Sequence, residues 1–174
     1  MAQPTLYMML GYPGAGKTTT AKILANLTGA IHLASDQIRL QMFPHPQFTE
    51  EEHKQLYDAL DRQTKTLLTG GRSVIYDANL NRYQHRAEKY ALCAQTNARP
   101  VLLWIKTSKK ISKSRAVHHS RFHLWPQHEP ADDMFERLVS VFENPGTNES
   151  FIELDGTKIT PEYVQQQLQN AGVL

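Results

Sequence analysis

The stretch Gly11-Tyr-Pro-Gly-Ala-Gly-Lys-Thr18 constrains this chain more than any other. Gly11, Gly16, Lys17 and Thr18 fit the pattern G-x-x-x-x-G-K-[ST]. In that pattern a glycine-rich turn surrounds phosphate oxygens with backbone N–H groups, a lysine reaches the terminal phosphates, and a hydroxyl sits on Mg²⁺. The flanks supply the context the pattern needs. An apolar run from Thr5 to Leu10 predicts a strand before the turn. After it, Lys17 to Thr28 predicts a helix with Ala21, Leu24 and Ala25 on one face and Thr19, Lys22 and Asn26 on another. The N-terminus of that helix adds its positive dipole end to the same place. A nucleoside triphosphate site is therefore expected, formed by Gly11, Pro13, Gly14, Ala15, Gly16, Lys17, Thr18 and Thr19, with the Thr18 hydroxyl on the metal.

Composition bounds the rest. A chain of 174 residues is expected to form a single domain large enough to bury a real core. A net charge of +2 is too small to argue for nucleic acid by itself, so only local clustering could. The single cysteine, Cys93, excludes an internal disulfide and reads as a small buried hydrophobe. No apolar run approaches the ~20 residues of a membrane span, and no secretory signal pattern opens the chain. A cytoplasmic protein is expected, with no membrane association and no obligate protein partner evident.

Further along, Gly29 stops the first helix, and Ile31-His-Leu33 predicts a second strand ending at Ser35-Asp36. A brief helical turn is expected over 37–41, then a loop over 43–48 broken by Pro44 and Pro46. Thr49-Glu-Glu-Glu52 is a capping-box start for a helix whose Leu56, Leu60 and Leu67 share a face down to Gly70-Gly71. Residues 73–77 predict a third strand, Asn81 the cap of a helix to about Gln95 bearing Ala87, Ala91 and Ala94 along one side, and 100–105 a buried fourth strand. A basic helix over 108–119 leads into an irregular stretch to Pro130. Asp132 or Asp133 is expected to open a helix with a core face of Phe135, Leu138, Val139 and Phe142. A fifth strand over 151–154 and a helix capped by Thr160-Pro-Glu162 complete an alternation that implies a parallel sheet covered on both sides.

Ligands of such sheets bind outside the carboxyl ends of the strands. Lys17, Asp36 and Asp77 follow or end the first three strands, so all three are expected at one edge. Phosphoryl transfer needs such a set: cations for the moving phosphoryl group, a carboxylate for the acceptor's proton, and arginines for developing charge. Asp77 has the position of a metal-binding carboxylate, or else caps the following helix. Asp36 and Arg39 form Asp-x-x-Arg, as general base and acceptor-phosphate ligand, or else as helix cap and surface ion pair. Residues 106–121 hold Lys106, Lys109, Lys110, Lys113, Arg115 and Arg121 and no acid. The lysines read as a solvated helix face, whereas Arg115 and Arg121 bracket the passage where a phosphate-covering lid, about 115–130, would sit.

Two patterns point elsewhere. His118, His119, His123 and His128, with Cys93, lack the spacings of a zinc site. Glu153-x-Asp155-Gly156-Thr157 is similar to a phosphatase signature, but its nucleophile position is a glutamate, so a strand-ending turn is expected.

The segments Gly11 to Thr18, Ser35-Asp36-Gln-Ile-Arg39 and Val74-Ile-Tyr-Asp77-Ala-Asn79-Leu-Asn81 together resemble the three signatures of the polynucleotide-kinase-like group of phosphate-loop kinases. The stretch from Glu129-Pro130 to Glu143-Asn-Pro145 is similar to the helix after that group's lid. The resemblance implies a three-layer α/β/α fold with a five-stranded sheet of order 2-3-1-4-5. It also implies Asp36 as the base, Arg39 near the acceptor phosphate, and Arg115 and Arg121 over the donor. This chain lacks the threonine the group usually carries between Asp77 and Asn79. The expected function is an ATP- and Mg²⁺-dependent kinase of a hydroxyl group, with a nucleic-acid 5′-hydroxyl end as the leading acceptor. A small-metabolite or antibiotic kinase and a nucleotide-binding regulatory module are the alternatives.

Overall fold

The structure, a computed structural model, describes residues 3–118, 124–126 and 128–174. Strand β1 (Thr5–Leu10) lies at the centre of a five-stranded parallel sheet of order β2-β3-β1-β4-β5. The other strands are β2 (Ile31–Ala34), β3 (Val74–Asp77), β4 (Arg99–Lys106) and β5 (Phe151–Asp155). The register aligns Met8 with Tyr76 and with Leu102, and Ala34 with Asp77. The tips of β1, β2 and β3 consequently end side by side.

Strand side chains alternate between faces, and β1 shows what that does here. Leu6, Met8 and Leu10 join one buried cluster with Leu56, Leu60 and Leu68 of α3 (Glu50–Thr69) and Cys93 of α4 (Tyr83–Thr96). Tyr7 and Met9 face the opposite cluster, with Ala21 and Leu24 of α1 (Lys17–Thr28) and Val164 and Leu168 of α7 (Pro161–Asn170). The result is three layers, helix, sheet and helix. Each fully buried strand residue such as Met8 contributes roughly 1.5–3 kcal/mol. Burial also pushes the Cys93 thiol up to about 12, in keeping with a packing role.

Most helix ends follow the sequence signals. Gly29, at φ +68°, ends α1 and donates its N–H to Ala25 O. Thr160 caps α7 by accepting from Tyr163 N. Thr49 caps α3 by accepting from Glu52 N, but Glu52 reaches past the cap to the N–H groups of Gln47 and Phe48.

Four expectations need correcting. Helix α2 (Ser35–Met42) begins as soon as β2 ends and is longer than the turn expected over 37–41. Its N-cap is Ala34, so Asp36 lies in the first turn and is not the cap. Asn81 does not cap α4; Arg82 stands there, while Asn81 donates through Nδ2 to Leu138 O at 3.2 Å. The buried side of α4 is Arg86, Lys89 and Cys93, with Ala91 and Ala94 exposed, because both cations are compensated from outside the helix. Arg86 pairs with Glu149 at 2.8 Å and Lys89 with Asp61 at 2.5 Å. Helix α6 (Ala131–Ser140) starts directly after Pro130, placing Asp132 and Asp133 in the first turn, where the dipole favours acids. Phe142 lies beyond its end and packs edge-on against Tyr12, with ring centroids 4.8 Å apart. Among the described residues no helix is long and apolar enough to cross a membrane.

Candidate active site

The glycine-rich turn sits between β1 and α1 and is braced by its neighbours. Gly14 has φ +76°, and a Cβ there would lie 2.2 Å from Ser112 O. Ser112 belongs to α5 (Lys109–His118), which packs directly on the turn. On the other side, Thr107 Oγ1 donates to Ala15 O at 2.9 Å. Gly156, just after β5, comes so close that a Cβ would lie 1.9 Å from Thr107 Oγ1 and 2.3 Å from Ala15 O. Pro13 and Ala15 are buried, whereas Thr18 and Thr19 are exposed at the start of α1. Gly16 caps that helix without a side-chain bond, and its first turn holds no acid, so the orphan N–H groups face outward with the helix dipole.

Lys17 folds over the turn and donates from Nζ to Gly11 O at 2.8 Å and Tyr12 O at 2.9 Å. Burial lowers its pKa, while the charges of Asp77 and Asp36 oppose that shift. Thr18 Oγ1 donates to Asp77 Oδ2 at 2.8 Å, and His32 Nε2 lies 3.0 Å from the same oxygen. Asp77 is 6 % exposed and caps no helix, since α4 begins only at Tyr83. One face of the turn thus presents an ammonium, a hydroxyl and a carboxylate together.

Asp36 joins them from α2. The residue is exposed along its flank, yet its carboxyl is crowded at the sheet edge. Burial pushes that carboxyl above the usual carboxylate range and the Asp77 charge adds to the effect. A hydrogen bond from the Leu124 backbone, with Arg39 and Lys17, pulls the other way. Asp36, Asp77 and Lys17 therefore share one electrostatic environment, as strand order requires.

Arg39, one turn further along α2, is 6 % exposed. Its guanidinium lies 5.0 Å from the Phe48 ring centroid, and Nη2 is 3.4 Å from His53 Nδ1. Its Nη1 is buried without a hydrogen-bond partner. Beside it Tyr57 OH accepts from Asn79 N at 3.2 Å and is pushed by burial up to about 12. Asn79 Oδ1 in turn accepts from Asn81 N, closing the turn after β3. None of Phe48, His53 or Tyr57 carried a motif; the only sequence trace is the one-turn spacing of His53 and Tyr57 on α3.

Arg115 donates from Nη1 to Gly156 O at 3.0 Å, at the rim of the turn. Arg121, with His119 and His123, lies outside the described residues. The basic stretch is less free than its composition suggests. Lys106 pairs with Glu153, Lys109 with Glu136, and Lys113 with both Asp132 and Glu136. Asp155 Oδ1 accepts from the N–H and hydroxyl of Thr157, the strand-ending turn expected there. Among the described residues no group of three His, Cys, Asp or Glu side chains could hold a metal ion alone.

A parallel sheet of this order, with a glycine-rich turn after its central strand, defines a P-loop fold of the kinase type. The family model for an AAA domain, AAA_33, matches residues 6–145, and the chain belongs to that family. It is 23% identical over 138 residues to a shikimate kinase of Nitrosomonas europaea, covering 73% of this chain and 65% of that relative's length. A gluconokinase from Sinorhizobium meliloti superposes with a TM-score of 0.68 at 16% identity, covering 99% of this chain and 94% of the other. The Mycobacterium tuberculosis APS kinase, solved with AMPPNP and APS, gives 0.69 at 14% identity over 99% and 98%. Likeness at these identities speaks for the fold and leaves the acceptor to the chemistry of the site.

Proposed function

We propose that the chain is an ATP- and Mg²⁺-dependent kinase that phosphorylates a hydroxyl group of a small acceptor. The observation that carries this reading is the meeting of Lys17, Thr18, Asp77 and Asp36 at one edge of the sheet. The Thr18 hydroxyl and Asp77 carboxylate, 2.8 Å apart, are hard oxygen donors suited to Mg²⁺, which prefers one or two carboxylates plus substrate phosphates. The metal would supply charge neutralisation on the transferring phosphates. The turn's N–H groups and Lys17 bind the phosphate oxygens, with Lys17 exchanging the loop carbonyls for the phosphates.

Asp36 is the general base. As the acceptor oxygen bonds to the γ-phosphorus, the bond to the β–γ bridging oxygen breaks and ADP leaves. The acceptor's proton passes to the Asp36 carboxylate. Its raised pKa suits that role, because a base closer to the working pH holds the proton better. Arg39 orients the acceptor, and Arg115, at the rim of the turn, reaches the donor phosphates.

A nucleic-acid 5′ end is the second acceptor reading, favoured by the cationic stretch 106–121. It ranks lower because Lys106, Lys109 and Lys113 are already paired with acids. Labelled γ-phosphoryl transfer to sugars, hydroxy acids, nucleosides and 5′-hydroxyl oligonucleotides separates the two. Transfer to oligonucleotides alone, weakening steeply with salt, would overturn the small-acceptor reading.

A further inference from the structure

The Asp77 carboxylate has a partner that the phosphate-loop chemistry leaves unused. His32 Nε2 lies 3.0 Å from Oδ2, the oxygen that also receives the Thr18 hydroxyl. The sheet builds this contact. In the β2–β3 register Ala34 stands beside Asp77, and His32 stands beside Ile75. Side chains two apart on a strand share a face, and Ile75 packs in the cluster with Ala21 and Leu24 of α1. His32 and Asp77 therefore both lie on the side of the sheet that α1 covers. Ala34 between them carries only a methyl, so the imidazole reaches along the strand to the carboxylate. The two side chains are 13% and 6% exposed, which sets the contact apart from a surface pair held loosely in water.

The chemistry of the two groups fixes the direction of the bond. An ionised carboxylate only accepts, so the proton between them belongs to Nε2 and the imidazole donates. A ring nitrogen that carries its proton has no lone pair for a metal, so His32 supports the carboxylate through Nε2 without competing for the ion. The Thr18 hydroxyl is a less fixed support, because it rotates about its Cβ–Oγ1 bond and its oxygen is itself offered to the metal. The imidazole is a flat ring held on a strand.

We propose that His32 is a positioning residue of the metal site: its Nε2–H pins Oδ2 of Asp77 and so sets the rotation of the carboxylate that faces the phosphate loop. This rests on the kinase reading for Asp77 as the metal carboxylate, whereas the hydrogen bond stands on its own geometry. Removing such a supporting donor from a metal-binding carboxylate costs about 10–100-fold in metal affinity. The placement also ties the two acids of the site together. Strand β2 carries His32 and runs without a break into α2, which bears Asp36. One strand thus delivers the base and steadies the carboxylate of its neighbour β3.

The test is calorimetric titration of the whole protein with AMPPNP, in EDTA and again in Mg²⁺, so that no turnover enters the readout. The quantity read is the gain in affinity on adding the metal. His32→Leu should shrink that gain about tenfold or more while leaving the affinity in EDTA unchanged. His32→Gln, whose amide N–H can donate to the same oxygen, should restore the gain to within about threefold of the native value. An undiminished gain in His32→Leu, or equal losses in both variants, would overturn the positioning role. Asp77→Asn, run alongside, separates this claim from the kinase reading. Loss of the gain in Asp77→Asn with none in His32→Leu overturns His32 alone. No gain in the native chain, or the same gain in Asp77→Asn, overturns the metal carboxylate and the reading built on it. Imidazole ¹⁵N NMR of the native chain needs no variant and decides the matter even where His32→Leu fails to fold. With AMPPNP and Mg²⁺ bound, the His32 proton should sit on Nε2, and a bare Nε2 would overturn the proposal.

Discussion

The hydroxyl of Thr18 donates to the carboxylate of Asp77 at 2.8 Å, across 59 residues of chain. The contact exists because β1 and β3 are adjacent in the sheet, which brings the first residues of α1 against the end of β3. It joins the phosphate loop to the carboxylate proposed for the metal.

Asp77→Asn keeps the size and one acceptor oxygen but removes the charge. Activity should then require about tenfold more Mg²⁺ and fall at saturation by about 10²-fold, as expected when charge stabilisation of a phosphoryl group is lost. Rates measured against Mg²⁺ concentration check this. An unchanged Mg²⁺ curve would remove Asp77 from the metal site.

The Asp36 carboxyl has its pKa raised, first by burial and then by Asp77. Two consequences follow with definite sign. The base must be ionised, so the acid limb of the rate profile should lie above the ordinary carboxylate value of 3.8. Between that value and the raised one the folded state binds more protons than the unfolded state, so this group's contribution to stability falls as pH rises through the window. Asp36→Asn removes the burdened charge and should raise the Tm at neutral pH. A Tm lowered by this change would contradict the crowding described here.

Arg86 and Glu149 form a buried pair, 0% and 2% exposed, with Glu149 also accepting from Gly146 N. Burial pushes the Glu149 carboxyl up, but Arg86 and the Gly146 N–H outweigh it and hold the pKa below the usual value of 4.5. Its stabilisation is therefore present above 4.5 and lost as pH falls through the depressed value. Glu149→Ala should cost about 3–5 kcal/mol by leaving a buried guanidinium unpaired. Urea unfolding at pH 7 measures it, and a loss under 1 kcal/mol would contradict the assignment.

Gly156→Ala places a methyl 1.9 Å from Thr107 Oγ1 and 2.3 Å from Ala15 O, so backbone must move. The loss of stability is expected at about 1–3 kcal/mol, with weaker ATP binding because the displaced contact braces the phosphate loop. Calorimetric titration with AMPPNP reads the second effect. Unchanged affinity would show that Gly156 does not shape the loop.

What was legible in the sequence is what is local. The turn from Gly11 to Thr18 states its chemistry in eight consecutive residues, and Gly29, Thr49 and Thr160 each mark a helix end by their own backbone or hydroxyl. The sheet order came from the resemblance and agrees with the observed pairing. Features set by distant partners stayed hidden. Arg86 and Lys89 are buried on α4 because Glu149 and Asp61 meet them from 63 and 28 residues away, which no local spacing on the helix signals. The lysines at 106, 109 and 113 read as a solvated helix face, and the acids that pair with them lie in β5 and α6, far from them in sequence. Arg39 and His53 sit on different helices, and no spacing rule links them.

The account rests most directly on Asp36 as the base of a phosphoryl transfer. Single-turnover reactions with γ-labelled ATP and the acceptor panel, run in parallel for the native chain and Asp36→Asn, test it. The native protein should move the label to an acceptor hydroxyl, and Asp36→Asn should bind ATP equally well but transfer at least about 10²-fold more slowly. Equal transfer by both proteins, or no labelled acceptor from the native one, would contradict the account.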